Sequence, residues 1–299
     1  MRIVSLLPSA TETICALGLR DQLVGVSHCC DYPPEISGLS VVTRPAGVAG
    51  LVLGAPGPDD ELPAAELDRQ ALLACRPDLI LIREGSAGPG SRQLEAVLVA
   101  ADVSPTIVSL DPISLEGIFH SITTIGAMTE TEDDSIELVE ALREDLGALE
   151  QQVVARHDQG LRPRRVVVLQ GITPLMASGR WVPEQVRRSG GWDLLGREGE
   201  RAAATSWEAI RDVDPEMLMF APAGLTLREA KAEFALLERP EFWHDLEAVR
   251  QRQVFILDPI YLSRPGPRII DGVGMLAEIF DPDTFVETSP PVSWTPVFE

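Results

Sequence analysis

The fold is decided by the stretch Ile3-Val4-Ser5-Leu6-Leu7-Pro8-Ser9-Ala10-Thr11-Glu12, in which a short apolar run passes directly into helix signals. The run predicts a β-strand over Ile3–Leu6. In the helix that follows, we expect Ser9 to cap the N-terminus, Glu12 to complete an S-x-x-E capping box, and Gly18 to end the helix. A strand that leads straight into a helix is the building unit of parallel α/β sheets.

The same alternation of strand and helix continues through the first third of the chain. A short helix is predicted over Leu67–Ala74, and the Gly-, Ala- and Pro-rich stretch Arg44–Pro63 is typical of a surface loop. The pattern favours a parallel sheet that is covered by helices. The further strands predicted there are Leu23–Val26, Val41–Thr43, Leu79–Ile82 and Thr106–Ser109.

Apolar residues spaced three and four apart predict one long helix from Ser135 to about His157. Such a helix is roughly 30 Å long, enough to run along a whole lobe. Gly160 and Pro163 are expected to end it. The residues on its apolar face are Ile136, Val139, Leu142, Leu146, Leu149 and Val153. The strands predicted beyond it, which begin a second α/β series, are Val166–Leu169, Met217–Phe220 and Val254–Leu257.

Together these elements predict an α/β fold of two Rossmann-like lobes with parallel sheets, joined by one long backbone helix. We expect the N-terminal lobe over residues 1–112, the connecting helical segment over 113–162 and the C-terminal lobe over 163–282. Residues 283–299 contain several prolines and are expected to pack loosely as a tail. A helical connection resists bending, so we expect little closure and a cleft that is largely pre-formed.

The composition excludes several classes of function. With a net charge of −21 and a single lysine, Lys231, the chain would be repelled by nucleic acid and by an anionic membrane surface. No apolar run is long enough to cross a bilayer. The first residues lack the basic start, apolar stretch and cleavage site of a secretory signal, so we expect a cytoplasmic location. Four cysteines in 299 residues do not make a disulfide framework.

Catalytic motifs are absent from the sequence, which indicates a binding protein and not an enzyme. There is no G-x-S-x-G elbow, no H-E-x-x-H motif and no phosphate-binding loop with its lysine. The sharpest local constellation is His28-Cys29-Cys30, whose side chains are suitable metal ligands. His28 is a candidate axial ligand of a metal held by a macrocycle, or a histidine hydrogen-bonded in a turn. A thiol-dependent enzyme using Cys29 or Cys30 is the minor alternative.

Landmarks from residue 3 to about residue 280 resemble one known family. In their order and spacing they are similar to the helical-backbone (class III) substrate-binding proteins of ABC importers, in the cobalamin-binding branch. The landmarks are Val4–Glu12, Gly25–Pro34, Arg76–Ile80, Leu169–Pro174, Ala177–Gly179, Ser206–Glu208 and Ser263–Arg268.

The resemblance implies a bulky metal-containing ligand between the lobes, contacted by loops at the carboxyl ends of strands. The matching loops are His28–Tyr32, Arg83–Ser86, Ile172–Met176 and Ile260–Arg264. The rings of Tyr32 and Tyr261 are expected to lie against a corrin, because rigid aromatic surfaces bury area at little entropic cost. The candidate ligand-binding residues are Tyr32, His28, Arg44, Arg83, Glu84, Ile172, Pro174, Met176, Tyr261 and Arg264.

Three of these residues depart from the family pattern. Arg44, Arg83 and Met176 stand where cobalamin-binding relatives have aromatic residues. An arginine can stack on a ring, and it can also bind a carboxylate in a bidentate fork. The two arginines otherwise balance acids such as Glu84. We therefore expect a cytoplasmic binding protein for cobalamin or another corrinoid, acting as carrier, store or sensor, with haem or an iron–siderophore chelate as the alternative ligand.

The resemblance also implies a protein partner. Members of the family dock onto a permease through one exposed carboxylate on each lobe, and Asp68 and Glu208 stand at approximately those positions. Because no secretion signal is present, a cytoplasmic acceptor protein is the alternative partner.

Overall fold

The structure, a computed structural model, describes residues 1–45, 65–84 and 89–298. These residues form two compact units. The first comprises residues 1–112, 116–141 and 265–267; the second comprises 113–115, 142–264 and 268–299. The segment 113–162, expected from the sequence to be a separate connection, is thus divided between the two units.

The first unit is built on a five-stranded sheet in the order β3-β2-β1-β6-β7, and every pair in it is parallel. Its first strand pairs with two neighbours, so it is the centre from which the sheet extends on both sides. A two-stranded antiparallel hairpin, β4 with β5, lies beside this sheet. The strands are β1 (Ile3–Ser5), β2 (Leu23–Val26), β3 (Ser40–Val41), β4 (Thr43–Pro45), β5 (Ala65–Leu67), β6 (Leu79–Ile82) and β7 (Thr106–Ser109).

Both faces of this sheet are buried, which explains why its central strands are apolar without interruption. Successive side chains of a strand point to opposite faces. Leu79 and Leu81 accordingly join one apolar cluster with Ile3, and Ile80 and Ile82 join a second cluster. Helices cover both faces, as a parallel sheet requires. They are α1 (Pro8–Ala16), α2 (Arg69–Cys75), α3 (Ser91–Val99) and α4 (Leu115–Thr129).

The start of α1 corrects one expectation. The helix begins at Pro8 with Leu7 as its N-cap residue, and no side chain caps it. The predicted Ser9–Glu12 capping box is therefore wrong, since proline is favoured at the first helical position and moves the start one residue upstream. Ser9 instead accepts a hydrogen bond at its carbonyl from the Thr13 hydroxyl (2.9 Å), and Glu12 is buried. Gly18 ends the helix as expected, with φ +73°.

The long helix is confirmed as α5 (Glu132–Asp158), 27 residues. Most of its predicted apolar face is buried, with Leu146 only 4% exposed, whereas Ile136 is 47% exposed. The division between the units falls within this helix, after residue 141. Gly160 follows with φ +90°, as expected for a residue that ends a helix.

The second unit contains a seven-stranded mixed sheet. Its central strands β11, β8, β14 and β15 are parallel, and antiparallel strands β9, β13 and β16 extend it. A short parallel pair, β10 with β12, completes the strands. They are β8 (Arg164–Ile172), β9 (Leu175–Ala177), β10 (Gly179–Arg180), β11 (Gly191–Asp193), β12 (Arg197–Glu198), β13 (Ala203–Ala204), β14 (Met217–Phe220), β15 (Val254–Leu257) and β16 (Trp294–Pro296).

Helices alternate with the parallel strands of this unit, so the predicted α/β class is confirmed for both units. Helix α8 begins with a complete capping box formed by Thr226 and Glu229. It packs Ala230 and Phe234 into the core and leaves Lys231 exposed. The helices are α6 (Val182–Arg188), α7 (Trp207–Val213), α8 (Leu227–Leu236), α9 (Glu247–Arg250), α10 (Ile260–Ser263) and α11 (Ile269–Phe280).

The last residues differ from expectation. Strand β16 pairs antiparallel with β15, with Trp294 opposite Leu257, and Phe285 is 2% exposed. The prediction of a loosely packed tail is wrong for these residues, because a strand partner distant in sequence orders them. Part of the predicted surface loop Arg44–Pro63, from residue 46 onward, lies outside the described residues. Among the described residues, no helix is both long and apolar enough to cross a membrane.

The carboxylate of Asp193 is buried in the second unit. Asp193, at the end of β11, accepts hydrogen bonds from the Ser178 hydroxyl (2.5 Å) and from the amides of Leu195 (3.2 Å) and Gly196 (3.0 Å). Burial raises its pKa to about 6, against the opposing effect of these hydrogen bonds. The fold therefore favours the protonated carboxyl.

We expect Asp193→Asn to remove a pH dependence of stability. The pKa of Asp193 is raised in the folded protein. Its contribution to the free energy of unfolding is therefore fully present below the ordinary pKa of an aspartate, and it is lost as the pH rises through about 6. Asparagine carries no titratable charge, so the loss of about 1.5 kcal/mol of stability that we expect in the wild type between pH 5 and pH 8 should be absent from the variant. Urea denaturation at pH 5 and pH 8 measures this difference. The exposed control Asp212→Asn should change nothing, and a parallel pH dependence in wild type and Asp193→Asn contradicts the prediction.

Candidate functional site

The first group of predicted site residues follows β2. The imidazole of His28 is half-buried, and its two ring nitrogens both have partners. Nδ1 lies 2.8 Å from the Thr43 hydroxyl, and Nε2 lies 3.3 Å from Cys29 Sγ. Thr43 Oγ1 also accepts a hydrogen bond from the His28 amide (3.0 Å) and donates one to Ser27 Oγ (3.2 Å). Burial lowers the pKa of His28, which favours the neutral ring.

This network describes a histidine held in a turn. A metal bond from His28 requires that one ring nitrogen give up its present partner, so axial ligation stays a prediction. The neighbouring thiols point to different partners, because Cys29 contacts His28 whereas Cys30 Sγ accepts a hydrogen bond from Thr11 (3.2 Å). Within the described ranges, no three His, Cys, Asp or Glu side chains are grouped to hold a metal ion.

Tyr32 is the exposed aromatic residue of this loop. Its side chain is 43% exposed, and the peptide bond to Pro33 is cis. The loop leaves the sheet at the carboxyl end of β2. Since β1, β2 and β6 are parallel, the residues that follow β6 lie at the same edge of the first unit's sheet.

Arg44 and Arg83, which stand in place of aromatic residues, each contact an acid of the chain. On the exposed hairpin, Arg44 lies opposite Glu66 in register, and its Nε (3.0 Å) and Nη2 (2.8 Å) both donate to Glu66 Oε2. Arg83 follows β6 and is only 4% exposed, and its Nε lies 3.5 Å from Asp111 Oδ1. The acids that the two arginines balance are thus Glu66 for Arg44 and Asp111 for Arg83.

Glu84, a predicted ligand contact, makes hydrogen bonds at the start of α3. Its carboxylate accepts a hydrogen bond from the Ser91 amide (3.0 Å) at the first residue of α3, and its own amide donates to Ser109 Oγ (3.0 Å). Hydrogen bonds from Ser91 hold the pKa of Glu84 below its ordinary value. An anion at a helix start is favourable, so Glu84 stabilises the start of α3.

In the second unit, the turn between β8 and β9 carries three predicted contacts. Ile172 and Met176 are buried, at 3% and 5% exposure, while Pro174 is exposed after a cis bond from Thr173. Gly171 lies beneath the turn, where an added Cβ would be 2.7 Å from Met176 Cγ and 3.0 Å from the Pro174 carbonyl oxygen. The hairpin therefore requires glycine there, and it presents Pro174 rather than Met176 to solvent.

Tyr261 lies on α10, just beyond the carboxyl end of β15. The Arg268 guanidinium is 5.7 Å from the centre of its ring, a cation–π distance. Burial raises the pKa of the Tyr261 phenol. Arg264 follows the same short helix and is half-buried, and its amide donates to the Ile260 carbonyl (3.3 Å). Because β8, β14 and β15 are parallel, Tyr261 and the β8–β9 turn lie at one edge of this unit's sheet.

Gln185 holds α10 in place and was not among the predicted residues. This side chain is fully buried, and its Nε2 donates to the carbonyls of Tyr261 (3.1 Å) and Ile269 (2.8 Å). Gly272 packs against the same carbonyl, where an added Cβ would be 2.1 Å from Tyr261 O. A sequence signal existed: Gln185 shares a helix face with Val182 and Val186, and a polar residue on a buried face needs a partner.

The two predicted docking acids each lie at the N-terminal end of a helix, one in each unit. Asp68 is the N-cap of α2 and accepts from the Ala71 amide (2.9 Å). Glu208 lies in the first turn of α7, behind the N-cap Ser206. Both are exposed. Hydrogen bonds from its own amide and from Ser206 lower the pKa of Glu208, so its carboxylate is charged at neutral pH.

In α/β sheets, ligands bind at the carboxyl ends of the parallel strands, where the predicted loops of both units lie. Residues 3–261 match the periplasmic binding protein family, and the chain belongs to it. It is similar to the uncharacterized ABC transporter substrate-binding lipoprotein YvrC of Bacillus subtilis, with 26% identity over 96% of this chain and 82% of the relative. It is also similar to the vitamin B12-binding protein of Vibrio parahaemolyticus, with 24% identity over 94% of this chain and 89% of the relative.

Among solved structures, a periplasmic heme binding protein from Pseudomonas aeruginosa has the same fold. Its TM-score is 0.73 at 23% identity, over 95% of this chain and 93% of that chain. The predicted family resemblance is confirmed. The chain is a binding protein of this family, in agreement with the prediction that it is not an enzyme.

We expect Gln185→Leu to destabilise the protein by about 3 kcal/mol, because two buried carbonyls lose their donor. The free energy of unfolding, measured by urea denaturation, tests this. The matched control is Gln93→Leu, which replaces an exposed glutamine on α3 and should cost little. Equal effects of the two substitutions contradict the assigned role of Gln185.

Proposed function

We propose that this chain binds a corrinoid, with cobalamin as the first candidate. The observation that carries the proposal is the similarity to a vitamin B12-binding protein along 94% of the chain. Tyr32 and Tyr261 support it, because each places an aromatic ring just beyond the carboxyl end of a parallel strand. Flat macrocycles are bound by such rigid apolar surfaces.

The arginine contacts favour a corrinoid over haem. On sequence, Arg44 and Arg83 indicated either a ligand with acidic groups or a polar corrinoid. In the structure, Arg44 is paired with Glu66 and Arg83 is buried beside Asp111, so a ligand carboxylate would compete with acids of the protein. Haem and iron–siderophore chelates remain the alternative ligands, and they serve as competing arms in the experiment.

Calorimetric titration with cobalamin, cobinamide, haem and a ferric siderophore tests the ligand. We expect saturable cobalamin binding that Tyr32→Ala and Tyr261→Ala each weaken about tenfold, because each removes ring contact. Tyr32→Phe and Tyr261→Phe retain the ring and should bind nearly as well as wild type. Trp192→Ala, at a 63% exposed aromatic residue outside the predicted loops, is the control. Binding of haem but not of either corrinoid, or an equal loss in the control, overturns the proposal.

We further propose that Asp68 and Glu208 contact a permease. Asp68→Asn and Glu208→Gln remove the charges, and asparagine remains a good N-cap, so folding and cobalamin affinity should not change. Binding to a permease reconstituted in lipid discs should weaken about tenfold, as expected for loss of charge–charge contacts. Asp212→Asn removes an exposed charge from the same helix as Glu208 and is the control. Unchanged permease binding in both variants contradicts this assignment.

The cytoplasmic location expected from the N-terminal residues stays a proposal and has its own test. Fractionation of the native cell, followed by detection of this chain, assigns the compartment. A cytoplasmic result favours an acceptor protein as the partner of Asp68 and Glu208, whereas an extracytoplasmic result favours the permease.

A further inference from the structure

A second concave site lies in the second unit, at the end of α5. Its cavity has a volume of about 30 Å³. None of the predicted cobalamin contacts lines it. The segment that leaves α5, Leu161–Arg164, forms one wall, and the end of α11 forms another.

The polar side of this cavity is cationic, in a protein with a net charge of −21. Arg156, Arg162 and Arg164 line it together with His157, and Asp281 is its single acidic lining residue. Arg156 is bound to Asp281, with its Nε donating at 2.6 Å. The three arginines and one aspartate leave two positive charges on the rim.

Two of these arginines have donors to spare. Arg164 is anchored through Nε, which donates to the Phe280 carbonyl (3.1 Å). Within residues 1–45, 65–84 and 89–298, its terminal nitrogens have no hydrogen-bond or ion-pair partner, and neither has the Arg162 side chain. A guanidinium held at Nε presents its remaining donors in a fixed orientation, which suits a carboxylate.

The other side of the cavity is apolar. Val153, Phe280 and Phe285 are all less than 8% exposed, and Leu161, at 38% exposure, closes the outer side. A water molecule needs roughly 10–15 Å³ of such volume, so the recess between these side chains admits about two non-hydrogen atoms, enough for a short alkyl end. An inorganic oxyanion has no apolar part that could pack against these apolar side chains, so the cavity is better suited to an organic anion.

We propose that this cavity binds a small organic monocarboxylate, with its carboxylate on Arg162 and Arg164 and its short alkyl end against Phe285 and Leu161. The site shares no residue with the proposed corrinoid contacts, so carboxylate binding and corrinoid binding can be tested independently of each other.

Propionate is the probe, and calorimetry at constant ionic strength is the measurement. Propionate has only five non-hydrogen atoms, so we expect weak binding with a Kd of about 1 mM. Propionamide has the same shape without the charge and should not bind. Formate lacks the alkyl end and should bind more weakly, and inorganic phosphate should not compete.

Variants separate the two halves of the site. Arg162→Gln and Arg164→Gln should each weaken propionate binding about tenfold, and Leu161→Asn should weaken propionate without changing formate. Arg228→Gln removes an exposed arginine elsewhere in the same unit and should bind as wild type. Thermal unfolding and cobalamin titration of each variant establish that the fold and the other site are intact.

Absence of saturable propionate binding overturns the proposal. Equal affinity in wild type and in the double variant Arg162→Gln/Arg164→Gln also overturns it, as does a loss of the same size in Arg228→Gln. Phosphate binding as tight as propionate binding overturns the assignment to carboxylates.

Discussion

Parallel strand pairing with burial on both faces is the constraint on which the rest of this structure depends. In the first unit, β1 pairs with β2 and β6 in the same direction, and its residues Ile3 and Val4 are fully buried on opposite faces. In the second unit, β14 has the same central position between β8 and β15. Such strands need helical crossovers, and their carboxyl ends share one edge. Parallel pairing of the strands therefore places the predicted loops after β2 and β6 at one edge of the first unit's sheet. It places the loops after β8 and β15 at one edge of the second unit's sheet.

The candidate site is largely made of polar groups that already have partners. His28 is held by Thr43 and Cys29, and Arg44 is held by Glu66. Groups satisfied in this way are pre-organised, and a ligand gains little from displacing them. Under the proposed function, the aromatic rings of Tyr32 and Tyr261 provide the affinity through contact area, and the surrounding hydrogen bonds hold the loops in position. This division suits a large macrocycle better than a small charged ligand.

Sequence reasoning was most successful where local pattern and burial agree. Three strands were predicted with their observed bounds, namely Leu79–Ile82, Met217–Phe220 and Val254–Leu257. Each consists of four consecutive apolar residues, a local pattern that indicates a buried strand without information from the rest of the chain. It failed where a distant partner decides the outcome, as for β16, which is ordered by β15.

The site shows the same limit. Family resemblance directed attention to Arg44 and Arg83, but their partners Glu66 and Asp111 depend on tertiary pairing that no local pattern contains. The capping role of Glu84 likewise required the position of α3. Gln185 was readable as a polar residue on a buried helix face, and its two carbonyl partners became apparent only with the fold.

The exposed lysine of α8 has a practical consequence. Lys231 is the only lysine in the chain, and the complete capping box at Thr226 and Glu229 fixes the helix that carries it. Reagents that acylate amines therefore have one side chain to modify besides the terminal amino group. A fluorophore attached there lies at one known position on a well-defined helix, so the protein can be labelled at a single side chain by chemistry alone, with no engineered cysteine.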